Sequence, residues 1–118
     1  MNPLLKTIED YVETLDGELL SFTHDVLDYI NKTYPKFPLV LSYQRPMLKL
    51  KPKLFLMLGG GKNHFSLYTT DFDYVESYKL RKIPKIKFGK SAILFPLEKT
   101  KYLSLAYQVI DEVIKRAQ

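Results

Sequence analysis

The spacing of apolar residues changes twice along the 118-residue chain. Over 4–30 they recur at every third or fourth position, with one break at 15–17, which predicts two amphipathic helices. Over 39–68 they alternate with polar residues or run together, as in half-buried and central strands. Over 103–117 the helical spacing returns. This order predicts an α+β fold, in which an antiparallel sheet is packed by N-terminal helices and a C-terminal helix.

Capping and proline residues predict where these elements begin and end. Asn2 precedes a proline and has the form of a helix N-cap, and Asp16 can cap the second helix. The two prolines of "TYPKFP", residues 33–38, end that helix because they force extended backbone. We expect Asp71 to cap a short helix and Thr100 to cap the last one.

The composition excludes several classes of protein. The absence of cysteine rules out disulfides, thiolate metal sites and a cysteine nucleophile, and it suits a reducing cytosol. The longest apolar run, "LFLML", is far too short to span a membrane, and the acidic N-terminal stretch does not resemble a secretory signal. A chain of this length fits one core, so we expect a single cytoplasmic domain over 1–118.

Charge is divided unevenly along the chain. Residues 1–31 hold seven acids and one lysine, a balance of −6, whereas residues 32–101 hold fifteen bases and four acids, a balance of +11. Such a chain could bind an anion on one surface and a cation on another. Two solvated faces that attract each other would explain the same division, and both interpretations remain open.

The most distinctive stretch is "LFLMLGGGKNHFSLY", residues 54–68, which places three glycines, a lysine and a histidine between two apolar runs. A phosphate-binding P-loop needs serine or threonine after its lysine and then a helix, whereas Asn63 follows Lys62 and a strand pattern comes next. We therefore expect the glycines to form a hairpin turn, where they supply positive φ and allow close backbone approach.

Polar residues after this turn are candidates for chemistry. His64 shares a strand face with Ser66 and Tyr68, and imidazole can bind a metal or move protons near neutral pH. A strand-end histidine bonded to a neighbouring backbone group is the simpler interpretation. Asp71 and Asp73 could hold a divalent cation, but helix capping explains this pair without a metal.

Lysine-rich stretches suggest a further possibility. "LKLKPK" and "KLRKIPKIKFGK" have aromatic residues nearby, a combination found in proteins that bind single-stranded nucleic acid. The chain contains three arginines and no strand with the aromatic signature of an RNA-recognition motif, so nucleic acid is not the favoured partner. A lysine-rich sheet edge that prevents association between sheets is the alternative.

Three ordered motifs, "LSYQRPML", "KNHFSLY" and "GKSAILFPLEK", make the chain resemble the YdhG-like family, small bacterial proteins of largely unknown function. The resemblance covers nearly the whole chain and implies a compact α/β sandwich. The family's Ser-Tyr-Gly-Met-Pro pattern falls on Ser42, Tyr43 and Pro46, with Gln44 and Arg45 in place of its glycine and methionine. Its Lys-x-His and Leu-Tyr pairs fall on Lys62, His64, Leu67 and Tyr68, and its Phe-Pro-Leu on Phe95, Pro96 and Leu97.

One branch of that family is described as a frataxin-like intracellular iron chaperone, which implies weak iron binding through exposed carboxylates and delivery to a protein partner. Carboxylate oxygens are hard ligands that suit such a site. The expected iron ligands on the first two helices are Glu9, Glu13, Asp16 and Glu18.

The residues themselves also predict a second kind of site, which binds a small anionic ligand. Arginine and lysine would pair with the anion, while histidine and tyrosine would orient it. The expected pocket residues are Tyr43, Arg45, Lys62, His64 and Tyr68. In each case we expect a protein that binds and does not catalyse, since no serine stands in a nucleophile-elbow context.

Overall fold

The computed structural model describes residues 6–118, which form four helices and six strands. In chain order these are α1 (Ile8–Glu13), α2 (Gly17–Thr33), β1 (Leu39–Ser42), β2 (Arg45–Lys51), β3 (Leu54–Gly61), β4 (His64–Thr69), α3 (Phe72–Lys79), β5 (Lys87–Phe88), β6 (Ala92–Pro96) and α4 (Lys99–Ala117). The strands form one sheet in the order β1-β2-β3-β4-β6-β5, with every neighbouring pair antiparallel. The predicted α+β fold is confirmed. None of the helices within residues 6–118 is both long enough and apolar enough to cross a membrane.

One face of the sheet carries the hydrophobic core. Residues two apart in a strand point the same way, so Leu56 and Leu58 of β3 share this face with Phe65 and Leu67 of β4. Helices α2 and α4 cover it with apolar residues at helical spacing. Their fully buried members include Phe22, Val26 and Ile30 of α2 and Val109, Ile110 and Val113 of α4.

Aromatic and polar contacts fix α2 against α4. The rings of Tyr29 and Tyr107 are stacked, with centroids 4.0 Å apart. Asp111 accepts hydrogen bonds from the hydroxyls of Tyr29, at 2.8 Å, and Tyr34, at 2.5 Å. Burial, and then the bond to Asp111, raises the pKa of the Tyr34 hydroxyl far above its usual range. The two helices are therefore held by directional bonds as well as by packing.

Charged contacts attach α3 to α4. Arg116 donates to both carboxylate oxygens of Asp71, at 2.7 and 3.0 Å. Glu112 accepts bonds from the Tyr74 hydroxyl and from Arg81, each at 2.7 Å. The bond from Arg116 lowers the pKa of Asp71. Burial acts to raise the pKa of Glu112, but the bonds from Tyr74 and Arg81 outweigh it and lower the pKa.

The first helix begins with a capping box that the sequence pattern did not indicate. The Thr7 hydroxyl accepts a bond from the Asp10 N–H, and the Asp10 carboxylate accepts one from the Thr7 N–H. These two bonds satisfy N–H groups that have no partner inside the helix. The cap predicted at Asn2 lies outside the described residues.

Two other predicted caps have different outcomes. Asp71 caps α3 by accepting a bond from the Tyr74 N–H, as expected. The predicted cap at Thr100 is wrong, because the N-cap of α4 is Glu98, two residues earlier, and the helix begins at Lys99. The N–H groups of Lys101 and Tyr102 already donate to the Glu98 carbonyl, so Thr100 lies inside the first turn.

Candidate functional site

The three glycines lie inside strand β3 and do not form the hairpin turn. Gly59, Gly60 and Gly61 pair with residues of β4, and the turn consists of Lys62 and Asn63. Among the described glycines, Gly17 alone has positive φ, so the conformational role predicted for the triplet is wrong. What the strand requires at these positions is the absence of a side chain.

Two rings of β4 lie across this strand. A β carbon at Gly59 would stand 2.9 Å from Cε2 of Tyr68, and one at Gly61 would stand 2.8 Å from Cε1 of His64. Gly60 points to the opposite face, where its β carbon would meet Leu19 Cδ1 at 2.7 Å and the His64 carbonyl oxygen at 2.8 Å. The glycines thus let Tyr68 and His64 lie down on the same face of the sheet.

Arg45 of β2 joins Tyr68 on that face. Its guanidinium carbon lies 5.1 Å from the centroid of the Tyr68 ring, a cation–π distance. No carboxylate among residues 6–118 forms an ion pair with Arg45, whose positive charge is therefore not neutralised there. Ser66, beside them on β4, is only 1% exposed, and its hydroxyl has no hydrogen-bond partner in the described part of the chain. Burial raises the pKa of nearby Tyr11, while the charge of Arg45 lowers it.

His64 also lines a cleft of about 290 Å³ between the end of β6 and the strand β5. Lys85 and Lys87 bring two ammonium groups to this cleft, and Leu94 and Pro96 supply apolar surface. Among residues 6–118 no carboxylate lines it, although Glu98 lies 3.8 Å from Lys85. The cleft combines positive charge, an imidazole and an apolar wall.

The other predicted pocket residues lie apart from this cleft. Lys62 lines a separate cleft beside the link between α1 and α2. Tyr43 occupies the turn between β1 and β2, where it is 79% exposed with φ of 52°. Of the five predicted residues, Arg45 and Tyr68 are in contact, and His64 shares their face.

The four predicted iron ligands are divided between two clefts. Glu9 and Glu13 border a groove between α1 and α2, whereas Asp16 and Glu18 line the cleft that contains Lys62. Among residues 6–118, no three side chains of histidine, aspartate or glutamate come together as a metal site would require.

The lysine-rich segment of residues 79–90 is partly neutralised. Lys79 pairs with Glu76 at 3.0 Å, and Arg81 pairs with Glu112 at 2.7 Å. A phosphate backbone would have to compete with these carboxylates.

The fold is similar to that of a solved structure. The crystal structure of a DUF1801-family protein, YdhG, from Bacillus subtilis matches it with a TM-score of 0.74 at 17% sequence identity, covering 92% of this chain and 86% of that one. This chain has the YdhG fold. The architecture implied by the three motifs is therefore confirmed. No protein-family model and no curated protein sequence matches the chain.

The YdhG fold brings the three motifs to one end of the sheet. The turn after Ser42, the turn at Lys62 and the end of β6 at Pro96 are neighbours, because Ser42 pairs with Arg45, Gly61 with His64 and His64 with Pro96. Lys85 and Lys87 come to the same end from a segment that no motif marked. Strand β5 has only two residues, too few for an alternating pattern to reveal it.

Proposed function

We propose that this protein binds a small anionic ligand in the cleft lined by His64, Lys85 and Lys87. The observation that supports this is the convergence of two ammonium groups and an imidazole on an apolar wall to which the described part of the chain contributes no carboxylate. Lysine neutralises a carboxylate or phosphate as a point charge, and the imidazole supplies a directional bond.

The size and lining of the cleft limit the ligand. At about 290 Å³ it is at the small end of ligand sites, so it suits a metabolite with one anionic group and a short apolar part. The apolar part would contact Leu94 and Pro96. Arg45, stacked on Tyr68 on the same face, offers a third cation to a longer ligand.

The test is an NMR titration with inorganic phosphate, acetate and benzoate. We expect amide shifts concentrated at Asn63, His64 and Lys87, with benzoate binding more tightly than acetate because its ring covers Leu94. Lys87→Gln should weaken binding about fivefold or more. The matched control is Lys53→Gln, which removes the same charge at the opposite end of the sheet. Shifts spread over all lysines, or equal binding by both variants, would overturn the proposal.

A second candidate is weak iron binding on α1 and α2, the role that the family resemblance implies. It is favoured by Glu9 and Glu13, which border one groove with His24 and Asp28 and form no ion pair with a residue in 6–118. Exposed carboxylates of this kind suit low-affinity binding of a hard cation. Anaerobic calorimetry with ferrous iron tests it: heat that disappears in Glu9→Gln/Glu13→Gln supports the role, and no heat above buffer rejects it.

A further inference from the structure

We infer that the groove between α1 and α2 docks the basic corner around Leu80 of a second copy of this chain. This association is independent of the anion site, since neither surface includes His64 or Lys87. It follows from two surfaces that complement each other in charge and in apolar character.

The groove has an apolar floor fixed to the core. Ile8 and Val12 of α1, Leu27 of α2 and Leu39 of β1 line a space of about 580 Å³. Leu27 is a member of the core cluster, and the other three pack against it. The floor is therefore preformed, so an apolar side chain that enters it need not displace other side chains.

The borders of the groove are acidic. Glu9 and Glu13, four residues apart on α1, border one side, and Asp28 of α2 borders the other. None of the described residues that line the groove is a lysine or an arginine. Lys32 pairs with Asp28 at 3.0 Å, but both side chains are mostly exposed, and such pairs contribute little to stability. The occupant that fits is an apolar side chain flanked by basic ones.

The chain carries such a group at the end of α3. Leu80 is 78% exposed, the second most exposed large hydrophobic side chain after Tyr43 among the described residues. Lys79, Arg81 and Lys82 flank it. Lys79 and Arg81 are paired with Glu76 and Glu112, whereas Lys82 forms no ion pair with a residue in 6–118 and supplies the free positive charge. Leu80 does not line the groove of its own chain, so one copy presents both surfaces at once.

Two different surfaces joined in this way give a head-to-tail contact, which continues from copy to copy unless it closes into a ring. The area available is small, so we expect weak association that salt reduces. Sedimentation of the full chain from 10 µM to 1 mM should show an average mass that rises above 13.8 kDa with concentration and falls back in 0.5 M NaCl.

A pair of variants separates this contact from non-specific aggregation. Glu9→Lys/Glu13→Lys blocks the groove, and Leu80→Ser removes the apolar group, so each variant alone should remain monomeric. Mixed together, each supplies the surface that the other lacks, and the mixture should form a 1:1 dimer that grows no further. Circular dichroism confirms that each variant is folded. A wild-type chain that stays monomeric at 1 mM, or a mixture that does not dimerise, overturns the inference.

Discussion

The ring of Tyr68 lies over Gly59, so that a β carbon there would stand 2.9 Å from the ring. The neighbouring Gly60 is restricted differently, because its β carbon would stand 2.8 Å from the His64 carbonyl oxygen, which is backbone. A tyrosine ring can tilt, whereas a paired strand cannot move without breaking its ladder. Adjacent glycines are therefore required for different reasons.

Gly60→Ala should destabilise the protein more than Gly59→Ala does. We expect the free energy of unfolding to fall by about 2–3 kcal/mol in Gly60→Ala, in the range for overpacking. In Gly59→Ala it should fall by roughly 1 kcal/mol, because the Tyr68 ring can move away from Arg45. Urea unfolding of the two variants measures the difference. Equal losses would contradict the assignment of the clash at Gly60 to backbone.

The turn between β1 and β2 predicts a difference in stability between two substitutions of Gln44. Tyr43 and Gln44 have φ of 52° and 63°, the arrangement of a type I′ turn, which normally contains Asn-Gly. Gln44→Gly should be more stable than Gln44→Ala by about 1 kcal/mol, because only glycine adopts this conformation without strain. Both variants lack the glutamine side chain, so their difference in unfolding free energy isolates the backbone. A more stable alanine variant would show that the turn is not strained.

The ion pair between Asp71 and Arg116 predicts a pH dependence. Its bond to Arg116 lowers the pKa of Asp71 in the folded state. The ion pair therefore stabilises the fold fully above the pKa of Asp71 in the unfolded chain, about 3.9. This stabilisation is lost as the pH falls through the lower pKa of Asp71 in the folded state. Arg116→Gln should cost about 1 kcal/mol at pH 7, discounted for the exposure of the arginine, and progressively less below pH ~4.

The control for this prediction is Lys32→Gln, which breaks a pair that is exposed on both sides. Its effect should stay below about 0.5 kcal/mol at every pH. Urea unfolding between pH 3 and 7 compares the variants. A loss in Arg116→Gln that does not change with pH would mean that packing, and not the ion pair, is responsible.

Asp111 predicts a spectroscopic change as well as a loss of stability. Asp111→Asn replaces the charged acceptor of the Tyr29 and Tyr34 hydroxyls with a neutral amide. We expect this to lower the free energy of unfolding by about 1–3 kcal/mol. Burial contributes most to the raised pKa of Tyr34 and the bond to Asp111 contributes next, so the variant should ionise at lower pH while staying above an ordinary tyrosine. Absorbance titration at alkaline pH measures this. An unchanged titration would show that the bond does not affect the Tyr34 hydroxyl.

The spacing of apolar residues in the sequence predicted the architecture, because it differs between helices and strands and marks the face that each element buries. It indicated the helix stripes and the strands over 39–68, and Asp71 marked the start of α3. The glycine triplet was misplaced because three glycines are a stronger turn signal than Lys62-Asn63. Only the register, with Gly61 opposite His64, reveals that the turn comes later.

The proposed anion cleft was less predictable than the fold. His64, which lines this cleft, was singled out in the sequence because a lone imidazole stands out, and Arg45 and Tyr68 were singled out because they lie in the motifs. Lys85 and Lys87 were not found, since they reach the cleft through a two-residue strand and a segment without clear period. Arg45 of β2 contacts Tyr68 of β4 across β3, because Gly59 of β3 has no side chain between them. The spacing of residues in the sequence does not show that these three positions are neighbours.

The position of α4 has a consequence for how the chain folds during synthesis. The six strands leave the ribosome before Val109, Ile110 and Val113, which share with α2 the covering of their apolar face. At roughly 5–20 residues per second, translation of α4 leaves its part of that face open for on the order of seconds. The nascent sheet is then a substrate for chaperones or for aggregation, and loss of α4 by premature termination would leave a product that cannot close its interior.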